Sequence, residues 1–167
     1  MLLPDDLLEQ AQFLVRREPR KPRQASLRRA VSAAYYAAFH LLGSEAAHQA
    51  SPAKPEGLRL RVQRSLEHGA MKEAAKRFKS RKLPDPIEPL VSNPLPAGLV
   101  AVAYNFIRLQ EERHAADYDF TVAFDRARAQ NAITLAGRVF TSWKNVRETD
   151  DARVFLASLL FPKLGSR

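Results

Sequence analysis

Ser26-Leu27-Arg28-Arg29-Ala30-Val31-Ser32-Ala33-Ala34-Tyr35-Tyr36-Ala37-Ala38-Phe39-His40 reads as helix from end to end. Leu27, Ala30, Val31, Ala34, Tyr35 and Ala38 return at three- and four-residue intervals and run on into Leu41 and Leu42. That spacing is the period of one buried helical face. Its alanines allow the close approach of a neighbouring helix, because small side chains let backbones pack tightly. Gln24-Ala25-Ser26 opens the segment with Ser26 as a suitable N-cap, and Gly43 offers C-terminal punctuation.

The same period governs the rest of the chain, and the alternating pattern of strands is nearly missing. A first helix is expected over 4–17, with Leu7, Leu8, Ala11, Leu14 and Val15 on one face and Pro4, Asp5 and Asp6 in its first turn. Pro19 and Pro22 stop it. After a Pro- and Ala-containing connection over 44–57, a third helix is expected over 58–79, weakest at Gly69. Pro84, Pro86, Pro89, Pro94 and Pro96 then exclude a helix or inner strand over 80–96. A fourth helix begins near Ala97 and ends within 113–118, and a fifth begins near Thr121. Thr149, followed by Asp150 and Asp151, caps a short last helix ahead of a tail, together covering 149–167. The expectation is an all-α chain: an antiparallel helical bundle of four to six helices in a single domain, 1–167, with a Pro-rich excursion before the fourth helix.

Composition narrows the function. The 167 residues contain no cysteine, which excludes disulfides, thiolate metal sites and a cysteine nucleophile. His40, His48, His68 and His114 lie on separate segments without metal-ligand spacing, and no glycine-rich phosphate loop occurs, so neither a metal nor a cofactor is expected. The N-terminus carries acid where a secretory signal carries base, and no apolar run is long enough for a membrane span. A cytoplasmic location is the expectation. The formal net charge of +9 favours polyanionic partners such as RNA. Arg16, Arg17, Arg20, Lys21, Arg23, Arg28 and Arg29 form one basic block, and Lys72, Lys76, Arg77, Lys79, Arg81 and Lys82 another. Each reads either as a solvated face or as a phosphate-binding rim.

The end of the fourth helix holds the residues with chemistry in them: Arg113-His114-Ala115-Ala116-Asp117-Tyr118-Asp119. In a helix, Asp117 lies four residues from Arg113 and three from His114, and Tyr118 four from His114, so these share a face. Asp117 can therefore orient either the guanidinium or the imidazole. Two readings stand. One is an interhelical polar knot; the other is a histidine poised for proton transfer beside an arginine that neutralises a phosphate. Tyr36 and His40, four apart, read as core and seam residues.

The two quoted segments together resemble the HEPN proteins, whose helices carry an R-A-x-S-x-A-Y-Y-A-x-F-H motif and an R-H-x-A-D-Y-D motif in this order. The resemblance covers roughly residues 4–140 and is loose over 44–96. It implies a bundle of four or five helices that dimerises, and a metal-independent endoribonuclease of toxin or defence type. It also implies, as partner, an antitoxin such as a small nucleotidyltransferase. The group's signature of an Arg followed at a short interval by a His is met by Arg108 and His114, although Leu109 stands where a polar residue is usual. Arg113 matches the subgroup that carries Ala-Asp-Tyr-Asp. The implied chemistry is attack by the RNA's own 2′-hydroxyl, with two copies of His114 across a dimer cleft sharing the acid and base roles and Arg113 or Arg108 stabilising charge. His114, Arg113, Arg108, Asp117 and Tyr118 are the candidate catalytic residues. The alternative is a non-catalytic HEPN module that binds nucleotide, nucleic acid or a protein.

Overall fold

The computed structural model of the chain describes residues 2–52, 56–161 and 163–164. Parts of the 44–57 connection and of the C-terminal tail lie outside the described residues. Seven α-helices make up the architecture, with no strand among the described residues: α1 (Leu3–Arg16), α2 (Gln24–Ala50), α3 (Glu56–Arg64), α4 (His68–Ser80), α5 (Ala97–Tyr118), α6 (Arg126–Val146) and α7 (Asp150–Leu160). The all-helical expectation holds. The chain divides into two compact units, Met1–His40 with Asn105–Phe140, and Leu41–Tyr104 with Thr141–Arg167.

In the first unit the face read from the sequence is the buried one. Leu27, Ala30, Val31, Ala34, Tyr35 and Ala38 are all at most 1% exposed. Tyr35 rests against Phe106 of α5 with ring centroids 5.8 Å apart. Leu109 of α5, Phe124, and Ala129, Ala132 and Ala136 of α6 complete this core. Every such burial contributes roughly 25 cal/mol per Å² of apolar surface removed from water. Arg128 of α6 reaches Glu112 of α5 at 2.6 Å, tying the two helices at their rim.

Several boundaries differ from the sequence expectation, each for a local reason. Gly43 does not end α2; it lies inside the helix, where an added Cβ would come within 3.0 Å of Leu66 Cδ1. The glycine serves close approach rather than termination. The third expected helix divides into α3 and α4 at Ser65–Glu67, not at Gly69, which lies inside α4. Ser26 does not cap α2: its hydroxyl donates to Glu18 Oε1. The fifth expected helix starts at Arg126 because Asp125 Oδ1 accepts from Arg128 N, capping α6, while Asp119 Oδ1 takes both the N–H and the hydroxyl of Thr121 in a turn. Thr149 caps α7 as expected, accepting from Ala152 N.

In the second unit, α4 packs on α7, with Phe78 and Phe155 edge to face at 5.0 Å. Arg81, in the left-handed conformation, ends α4 by returning its N–H to the helix's last turn. The proline-rich excursion that follows is anchored by Ile87 and Leu95, both buried, and by Asp151, whose carboxylate accepts from Ser92 N and Oγ. A short 3₁₀ turn, Glu88–Leu90, is its one helical element. No helix among the described residues is long and apolar enough to cross a membrane.

Candidate functional site

Arg28, Ser32 and Tyr36 recur at four-residue intervals along α2 and form a polar stripe beside the apolar one. The stripe meets the last turns of α5, and each member finds a partner there. Helix C-termini leave their final carbonyls without intrahelical donors. Arg28 donates to two carbonyls of this last turn and to two just beyond it: Nη1 to Ala115 O at 3.3 Å and Ala116 O at 2.8 Å, Nη2 to Asp119 O at 3.0 Å and to Val122 O. A cation at the negative end of the helix dipole adds favourable charge. The guanidinium also lies 5.0 Å from the Phe124 ring centroid. One helical turn before Arg28, Gln24 pairs its amide with Phe124 in both directions, donating to Phe124 O at 2.6 Å and accepting from Phe124 N at 2.9 Å.

Asp117 is held from two sides. Ser32 Oγ donates to Oδ1, and Arg113 Nε lies 2.7 Å from Oδ2. The Arg113 and Asp117 side chains are only 15% and 22% exposed, so this pair is screened far less than a surface ion pair. Arg113 Nη2 donates to Tyr36 Oη at 3.1 Å, and its Cζ lies 5.4–5.8 Å from the rings of Tyr118, Tyr36 and Tyr35. Burial opposes its charge. The acidic groups around it (Tyr36, Asp117, Tyr118 and Tyr35) outweigh that opposition and hold the guanidinium above the ordinary arginine range. Burial pushes the Tyr35 hydroxyl strongly upward, more than Arg113 lowers it, so Tyr35 stays neutral.

Of the two orientations open to Asp117, the structure therefore has the guanidinium. His114 points outward, exposed, with its ring 5.1 Å from that of Tyr118 and no hydrogen bond or ion pair among the described residues. Arg108, also exposed, pairs with Glu111 at 3.2 Å. It lies six residues before His114, which in a helix is about 9 Å along the axis and on a different azimuth. Tyr118 is 59% exposed. His40 stacks on Tyr36 at 6.1 Å, and burial lowers its pKa, favouring the neutral ring. His68 opens α4 in the second unit.

The two motif segments thus form one polar junction, and the five candidate residues separate into two sets. Arg113 and Asp117 are engaged internally; His114, Arg108 and Tyr118 face outward. Sequence reading missed the parts of Arg28, Ser32 and Gln24. The signal was present, because Arg28, Ser32, Tyr36 and His40 recur every fourth residue on one helix. Among the described residues no grouping of His, Asp and Glu is arranged to hold a metal ion. No protein-family profile matches the chain, and no curated protein or solved structure is significantly similar to it.

Proposed function

We propose that this chain is a HEPN-like, metal-independent endoribonuclease of toxin or defence type, acting as a dimer in which His114 transfers the protons. The observation that carries this reading is an exposed His114, in ring contact with Tyr118 but with no hydrogen bond or ion pair among the described residues, mounted beside the Arg113–Asp117 pair. A proton-transfer group must be reachable by substrate while its backbone is held in place. The bonds from Ser32 and Tyr36 fix the turn of α5 on which His114 rides. The net charge of +9 adds attraction for RNA.

In the reaction, the 2′-hydroxyl oxygen bonds to phosphorus and the bond from phosphorus to the 5′-oxygen breaks. One neutral His114 takes the 2′ proton, and a protonated His114 from the second copy gives a proton to the departing oxygen. Arg108, exposed and paired with the exposed Glu111, is the cation offered to the phosphorane. Arg113 acts as a positioning residue. The proposed partners are RNA and, by the same resemblance, an antitoxin such as a small nucleotidyltransferase; the proposed location is cytoplasmic.

A specific observation favours the alternative of a non-catalytic binding module: Arg113 and Asp117 are engaged with each other and with Tyr36 and Ser32 inside the fold. One experiment separates the two. Labelled RNA is incubated with the purified chain in EDTA, alongside His114→Ala. The expected result is cutting that leaves 2′,3′-cyclic phosphate ends and falls at least about 100-fold in the variant. Equal cutting by His114→Ala rejects the assignment, and no cutting by a folded dimer across varied RNAs selects the binding module.

A further inference from the structure

A cavity of about 390 Å³ opens between the first turns of α2 and the last turn of α5, lined by Ala25, Arg28, Arg29, Ala116, Asp117 and Tyr118. Its three charged residues are in different states. Arg28 has both terminal nitrogens of its guanidinium committed to carbonyls, so its main contribution here is positive potential. Asp117 is neutralised by Arg113 and bonded by Ser32. Arg29 is exposed and has no partner among the described residues. Among the lining residues Arg28 and Arg29 outnumber the carboxylate of Asp117, so the lining carries net positive charge and Arg29 is its available fork.

Ala25, Ala116 and the ring of Tyr118 complete the lining. Tyr118 keeps more than half its surface open, and its ring is 5.1 Å from that of His114. Just beyond it, Phe120 is 84% exposed, 5.9 Å from the Arg28 guanidinium. An open aromatic ring and a free guanidinium lining one positive cavity are the pair of groups that receive a nucleotide: the ring stacks on the base, and the fork binds phosphate.

We infer that this cavity takes an unpaired nucleotide of an RNA strand, its base stacked on Tyr118 and its phosphate held by Arg29. The inference deepens the nuclease reading and rests on it for one consequence: a base seated on Tyr118 brings the adjoining phosphodiester to His114. Stacking itself requires no cleavage. A base inside a duplex must first be unstacked at a free-energy cost, so the site selects single strands.

The test uses a single-stranded oligoribonucleotide that carries 2-aminopurine and 2′-O-methyl groups throughout. The methyl groups remove the nucleophile, so binding is read whether or not the chain cuts RNA. Titration with the full chain should quench the 2-aminopurine fluorescence. Tyr118→Ala should abolish the quench and weaken binding about tenfold, while Tyr118→Phe retains both. Arg29→Ala should keep the quench, weaken binding and reduce the salt slope by about one. Both side chains are exposed, and circular dichroism checks that the variants keep their fold. An unchanged quench in Tyr118→Ala overturns the inference. So does equal competition by a duplex of the same sequence, or by free AMP binding as tightly as the strand. Quenching without cleavage of ordinary RNA would reject the nuclease reading and leave the nucleotide site standing.

Discussion

At the junction of α2 and α5, Arg28 and Arg113 are engaged with backbone carbonyls, a carboxylate and a tyrosine hydroxyl; in the region of α3 and α4, Arg61 and Arg64 of α3 and Lys82, just past the end of α4, stand in water. Helix α3 buries no residue at all. On α4, Lys76 pairs with Glu73, itself exposed, and Lys79 lies over the Tyr104 ring at 5.5 Å. Both regions are rich in basic residues, and the second fixes some of its own, since Arg59 of α3 donates to Ser51 O and Pro52 O, yet Arg61, Arg64 and Lys82 remain exposed. Clustered charge is therefore a poor guide to role. What separates the two is whether a cation meets a helix end or a carboxylate in a place where water is excluded.

Removing Arg28 should show the contrast most strongly. Arg28→Ala removes four side-chain donations to carbonyls around the end of α5 and is expected to lower the free energy of unfolding by about 3 kcal/mol, read by urea denaturation. Arg28→Lys should recover less than half of that, because an ammonium has no planar fork. A loss no larger than that of an average surface substitution would erase the distinction.

The Arg113–Asp117 pair should come next. A double-mutant cycle of Arg113→Ala and Asp117→Asn is expected to give a coupling of about 1–2 kcal/mol. Additive effects would mean the pair is geometry without energy. The basic rim provides the smallest effect and the sharpest control. Arg61→Gln, Arg64→Gln and Lys82→Gln combined should change stability by less than about 0.5 kcal/mol in the same denaturation assay. If that triple variant unfolds as readily as Arg28→Ala, the two regions do not differ as described.

Much of the fold was legible because its signals are local. The apolar face of α2 follows from residue spacing, and Thr149 caps α7 through a contact three residues away. The errors occurred where distant residues decide. Gly43 looks like a terminator until Leu66 is seen against it, and the start of α6 depends on which of Thr121 and Asp125 provides the cap. The candidate site was legible in its residues but not in their pairing. Spacing let Asp117 serve either Arg113 or His114; Ser32 and Tyr36, some eighty positions away, hold that turn in the arrangement seen.

The Arg28 clamp has a consequence for how the chain is made. Its acceptors lie 87–94 residues further along the sequence, and the Ser32–Asp117 bond spans 85. At a ribosomal speed of roughly 5–20 residues per second, α2 emerges on the order of ten seconds before the turn that satisfies it. During that interval its apolar stripe and its polar stripe are both without their partners. The nascent helix is then a substrate for chaperones, and a chain that stops short of Ala115 carries an arginine with nothing to clamp.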